Sequence, residues 1–140
     1  MRAKEYLQKL KKLDTVINQK IKEIDNLKVM CTSVSSLDYS KDRVQTSPDG
    51  IAPYVKTLDR ICDMQDKINM EIDRFIDEKH KIINQIQGLS DSLYIDVLFK
   101  RYVEYKSFKT IAVETGSSYT YVIEIHGHAL QQFEKTYKNQ

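Results

Sequence analysis

Two long stretches of this chain space their apolar residues by alternating steps of three and four, and that rhythm leaves few folds open. From Tyr6 the series runs Leu10, Leu13, Ile17, Ile24 and Leu27, with one slot given to Lys20 and with Val16 and Ile21 widening the stripe. From Tyr54 it resumes as Leu58, Ile61, Ile68, Ile72, Phe75, Ile82, Ile86 and Leu89, with Gln65 and Lys79 in the remaining slots. Such a period puts one apolar seam along an amphipathic helix, and a single helix of this kind has no core of its own. The least costly cover is the other stretch, folded back as an antiparallel partner. Met64, Ile76 and Ile83 lie beside the second seam, and what remains is expected to be hidden by self-association into a dimer or higher bundle, although packing onto the C-terminal helices would serve equally well.

The segment between the seams, Cys31–Ala52, loses the period, is rich in Ser, Thr and Asp, and ends near Ser47–Gly50, SPDG. It reads as a loop. Four glycines, two prolines and no tryptophan in 140 residues suit an all-helical protein. Cys31 and Cys62 stand alone, without the paired spacing of zinc or redox sites, and are expected to be reduced thiols. No apolar run is long enough to cross a bilayer or to serve as a secretory leader, so a cytoplasmic protein is expected.

After Gly88 the pattern changes. Ser90 or Asp91 can cap a helix running through Leu93, Val97, Leu98, Tyr102 and Tyr105. Ser107 can cap Phe108–Thr115, Gly116 can supply the left-handed turn, and Ser118 can cap a last helix carrying Val122, Ile125, Ala129, Leu130 and Phe133. The small Ala112 lets two helices cross closely above Ile111, Val122 and Ile125. The expected fold class is therefore all-α: a long, coiled-coil-like antiparallel helical hairpin over 1–88, with its loop at 31–52, followed by a three-helix helix-turn-helix unit over 89–140.

The net charge of +2 hides an asymmetry. Between Met1 and Lys28 eight basic residues face four acidic ones, whereas from Leu89 onward six face six. No Lys or Arg lies between Lys109 and Lys135, so the last helix is not basic. His126 and His128 are two apart, which turns them to different helix faces and disfavours a metal pair. Asp73, Asp77 and Glu78 suit a solvated face. The sequence carries no Gly-rich phosphate loop, GxSxG or HExxH, and neither an enzyme nor a cofactor-dependent protein is expected.

The residues Arg101, Tyr102, Glu104, Ser107, Ile111, Ala112, Gly116, Ser118, Val122, Ala129 and Leu130 resemble region four of the sigma-70 family of bacterial transcription initiation factors. That region carries an RY-x-E-x-x-S-x-x-x-IA motif ahead of a glycine turn and a serine-capped recognition helix. The likeness covers about a quarter of the chain. Ala3–Leu7 and the Asp42–Ser47 loop, with the sigma-like end, also look like a family of small bacteriophage proteins that includes late-gene transcription regulators. These resemblances imply a phage or prophage regulator, acting in a bacterial host cell on promoter DNA, host RNA polymerase, or both; the uncovered seam surface adds the expectation of a homodimer through the hairpin. Ser117, Ser118, Tyr119, Thr120, Tyr121, Glu124 and His128 would face the bases, and Arg101, Lys106 and Lys109 would hold phosphates. The alternative is a coiled-coil adaptor or structural phage protein that uses its last helices as a protein interface. Loop Asp42–Ser47 is either a connector or a docking strip.

Overall fold

The computed structural model describes residues 2–41 and 53–137. Five α-helices and no strand are found among them: α1 (Ala3–Lys41), α2 (Pro53–Gln87), α3 (Ser92–Leu98), α4 (Phe108–Thr115) and α5 (Tyr119–Tyr137). A π-helical stretch, Phe99–Val103, prolongs α3. The all-α character is thus as the composition and periodicity indicate. Two compact units divide the chain, the first built from Met1–Thr15 with Ile76–Gln140 and the second from Val16–Phe75.

The second unit is a seam between two helices. Ile17, Ile24 and Leu27 of α1 and Ile61, Ile68 and Ile72 of α2 form one buried cluster, with Cys31 and Phe75 half-buried against it. Lys20, which interrupts the apolar series, reaches Glu71 across the seam at 3.2 Å. A long aliphatic stem lets a lysine cover apolar neighbours while its ammonium stays in water. Ile21, expected to widen the stripe, is instead exposed, because a two-helix contact buries a narrower face than a bundle does. Cys62 is exposed as well.

Helix α1 continues to Lys41, so Cys31–Lys41, expected to be loop, is helical. Thr32 indicates how the helix tolerates this polar composition: its hydroxyl donates to the Lys28 carbonyl one turn back at 3.2 Å, satisfying itself within the helix. The turn expected at Ser47–Gly50 and the whole of Asp42–Ser47 lie outside the described residues.

In the first unit the start of α1 meets two helices rather than one. The buried positions there are Ala3, Leu7, Leu10 and Leu13, at helical spacing, whereas Tyr6 is half-buried at the edge. Its ring lies 5.9 Å from that of Phe133 in α5, and its hydroxyl donates to Gln85 of α2 at 2.5 Å. Asp14 pairs with Lys79 at 2.5 Å, so α1 and α2 run antiparallel in this unit. The amide N–H of Ala3 donates to Glu134 Oε1 at 2.9 Å. Tyr137 donates to the Gln85 carbonyl at 2.6 Å, close over Gly88, where any β-carbon would stand 2.7 Å from the tyrosine oxygen.

Helix α2 stops at Gln87, just before Gly88, and Asp91 caps α3 by accepting from the Leu93 amide at 2.9 Å. The expected single helix through Tyr105 is not observed. After Leu98 the chain widens into π-helical turns, with the Glu104 amide donating to the Phe99 carbonyl and the Lys106 amide to that of Lys100. Tyr105 ends the element at φ 58°. A left-handed non-glycine residue costs about 1–2 kcal/mol. Its hydroxyl offsets part of that cost by donating to Asp14 and to the Leu10 carbonyl of α1.

Candidate functional site

The most closely specified local structure is the turn between α4 and α5. Ser107 opens α4 in an extended conformation and accepts from the Thr110 amide at 3.2 Å. Gly116 closes it at φ 68°, where a side chain would be strained. The Ser117 amide donates to the Ala112 carbonyl and the Gly116 amide to that of Val113, the paired bonds of a Schellman motif. Ser118 then caps α5, its hydroxyl accepting from the Tyr121 amide at 3.1 Å. Beneath the turn Ile111, Ala112, Val122 and Ile125 join Val97 of α3 in one buried cluster, with Leu93, Tyr94 and Phe108 packed against it.

Seen from outside, the same turn presents Ser118, Tyr119, Thr120, Tyr121, Glu124 and His128 to solvent, with Ser117 half-buried. These sequence-selected residues are therefore brought together at the start of α5 and along its outer side. Val113 on α4 is 82% exposed, and Ile123 on α5 is exposed beside the tyrosines.

The three cations expected at the rim differ. Lys109 is exposed and makes no ion pair among the described residues. Lys106 is held by its own unit: its ammonium contacts both oxygens of Glu114 at 2.7 and 2.8 Å and lies 3.5 Å from Glu104. Lys100 also meets Glu114, donating to its Oε1 at 2.9 Å. The two ammonium groups, Lys106 foremost, keep the Glu114 carboxyl below its usual range, and Glu114 in turn raises both lysines. Arg101 places its guanidinium carbon over the Phe108 ring, 4.2 Å from the centroid, and donates to the Lys106 carbonyl at 3.0 Å.

His126 anchors the inner side of α5. Its Nε2 is 2.7 Å from the Tyr102 hydroxyl, its ring is stacked 5.6 Å from that of Tyr102, and the Phe108 ring meets it edge-on at 4.9 Å. Burial, reinforced by the positive charges of Arg101 and Lys4, pushes its pKa down to about 4. The ring is thus neutral at pH 7 and tied to the packing of α5, not presented to a ligand. No group of three or more His, Cys, Asp or Glu side chains converges as a metal site among the described residues.

Sequence reasoning gave no role at this end of the molecule to Lys4 and Lys11 of α1. Lys11 and Gln8 join Leu7, Arg101, Tyr102 and Tyr105 around a groove of about 310 Å³. The basic excess of the first 28 residues was the signal, although nothing local connects it to Arg101, some 90 positions later. Among the described residues no helix is long and apolar enough to cross a membrane. Neither a family model, nor a curated protein, nor a solved structure matches this chain.

Proposed function

We propose that this chain is a phage- or prophage-encoded transcription regulator that binds promoter DNA, RNA polymerase, or both through a sigma-like helix-turn-helix formed by α4 and α5. The supporting observation is the turn itself. Its left-handed glycine and paired serine caps hold α5 with Val122, Ile125 and Ala129 buried and with Tyr119, Thr120, Tyr121, Glu124 and His128 outward. A helix fixed by its inner side and hydrogen-bonding on its outer one suits a major groove. Ser117 and Ser118 lie at its entry, and Lys109 is a rim cation free to meet a phosphate. In this reading α1 and α2 form an antiparallel helical hairpin that carries the helix-turn-helix, and the protein acts in the host cytoplasm by binding rather than catalysis. The exposed Val29, Met30, Met64 and Met70 of the second unit support a homodimer through that hairpin.

Selection from a randomised duplex library at low salt tests the reading. The protein is expected to enrich one sequence, and Tyr121→Ala and Glu124→Ala are expected to lose that preference with unchanged helicity. Failure to enrich any sequence, or enrichment of the same one by both variants, overturns the base-reading face.

A second reading, a protein-docking adaptor, draws on Val113, Tyr119, Tyr121 and Ile123, because exposed tyrosines and aliphatic side chains suit a protein interface. In a direct titration against purified bacterial RNA polymerase, Val113→Asp should weaken binding if this face docks on the enzyme. Equal binding by that variant argues against it.

A further inference from the structure

The outer helix of the proposed DNA-binding turn is poor in the charge that DNA binding needs. Between Lys109 and Lys135 there is no Lys or Arg, and Lys100 and Lys106 are already paired with Glu114, Asp96 and Glu104. Phosphate neutralisation supplies most of the non-specific affinity of a DNA-binding protein, so the missing cations have to come from elsewhere in the same compact unit.

They are found at the start of α1. Arg2, Lys4, Lys9, Lys11 and Lys12 stand against Glu5 alone, and none of the five makes an ion pair among the described residues. Asp14, the next acid, is engaged by Lys79 and Tyr105. At 100° per residue Lys4, Gln8, Lys11 and Lys12 fall within about 100° of arc on one face of the helix. That face adjoins the sigma-like end of the chain: Gln8 and Lys11 share a groove with Arg101, and Lys4 acts electrostatically on His126 of α5. Arg101 spends one guanidinium nitrogen on the Lys106 carbonyl, which leaves further N–H donors for a ligand.

Building on the proposed function, we propose that Lys4, Gln8 and Lys11 of α1, with Arg101, form a phosphate-binding strip that grips the backbone of duplex DNA. The complementarity is of charge and not of sequence. The strip supplies the sequence-independent share of affinity, and α5 supplies the selectivity. The start of α1, remote from the turn in sequence, is thereby part of the DNA-binding surface.

The salt dependence of binding to a random-sequence duplex tests this. The full-length protein with Lys4→Gln and Lys11→Gln is expected to bind roughly tenfold or more weakly at 50 mM salt. Its slope of log affinity against log salt should be shallower by about 1.8, the loss of two phosphate contacts. Both lysines are exposed, so circular dichroism and the melting temperature should not change. A matched Lys100→Gln, Lys106→Gln variant is expected to keep the parent slope. A parent slope in the α1 variant, or a loss confined to the Lys100 and Lys106 variant, overturns the strip. Salt-sensitive binding without sequence selection would instead overturn the base-reading face and leave the strip standing. Absence of duplex binding by the parent protein removes both.

Discussion

The two compact units are held by different chemistry. In Val16–Phe75 a row of isoleucines and one leucine meets across a seam, and Lys20 with Glu71 is a polar pair bridging α1 and α2 there. In the unit that contains α3, α4 and α5 the aliphatic cluster is framed by directional groups. Three side-chain caps, a left-handed glycine, a Tyr102–His126 hydrogen bond and tyrosine links to α1 and α2 fix where each helix begins and faces. Apolar burial is non-directional, so a seam of this kind holds two helices together without strongly fixing their register or their partner. The framed unit specifies one arrangement, which is what the proposed recognition surface would need.

This contrast can be broken first in the cores. Ile111 is fully buried within the three-helix cluster, and Ile111→Ala is expected to cost about 3–4 kcal/mol and to abolish cooperative near-UV signals from the tyrosines. Ile68→Ala, in a seam whose members keep some exposure, is expected to cost nearer 2 kcal/mol. Chemical denaturation of both variants measures the pair. Equal losses would mean that the seam is packed as tightly as the framed cluster.

A smaller effect is expected from the pH dependence of the framed unit alone. His126 is neutral in the folded protein down to pH of about 4, whereas the unfolded chain takes up a proton near the ordinary value of 6.5. Stability from this residue is therefore complete above pH 6.5 and is lost as the pH falls toward 4. Allowing for its partial exposure, the loss is about 1–2 kcal/mol. Thermal melts from pH 7.5 to 4.5 should show it, and His126→Gln should flatten that part of the curve. The pH profile of a two-unit protein in which the seam melted first would not respond to this variant.

Gly116→Ala tests the directional framing at the turn, with an expected cost of about 1–2 kcal/mol from the left-handed conformation alone, since nothing would touch the added methyl. Gly88→Ala should cost about 1 kcal/mol by displacing the Tyr137 hydroxyl from the Gln85 carbonyl. The smallest effect is expected in the seam: Lys20→Met should leave the melting temperature within error, because the lysine stem already covers its neighbours and its ion pair is solvated.

What was legible in the sequence was whatever repeats or caps locally. The seam positions from Leu10 to Leu27 and from Ile61 to Leu89 need only helical spacing. Gly88, Asp91, Ser107, Gly116 and Ser118 act within one turn of themselves. The π-helical stretch after Leu98 and the left-handed Tyr105 had no such signature, because they are set by what Tyr102 and Tyr105 reach in α5 and α1. The pairing of Lys100 and Lys106 with Glu114 was equally hidden, although it decides which rim cations remain for a ligand. Composition misled at Cys31–Lys41, where Ser and Thr favour loops on average yet fit a helix that satisfies their hydroxyls internally.

The hydrogen bond from Ala3 to Glu134 joins residues 131 positions apart. During synthesis the first residues must wait for almost the whole of this sequence to leave the ribosome before they find that partner. Every contact of the isoleucine seam, by contrast, is contained between residues 16 and 75. The order of assembly is therefore written into the connectivity: the seam can close early, and the surface that includes the last helix matures only at the end.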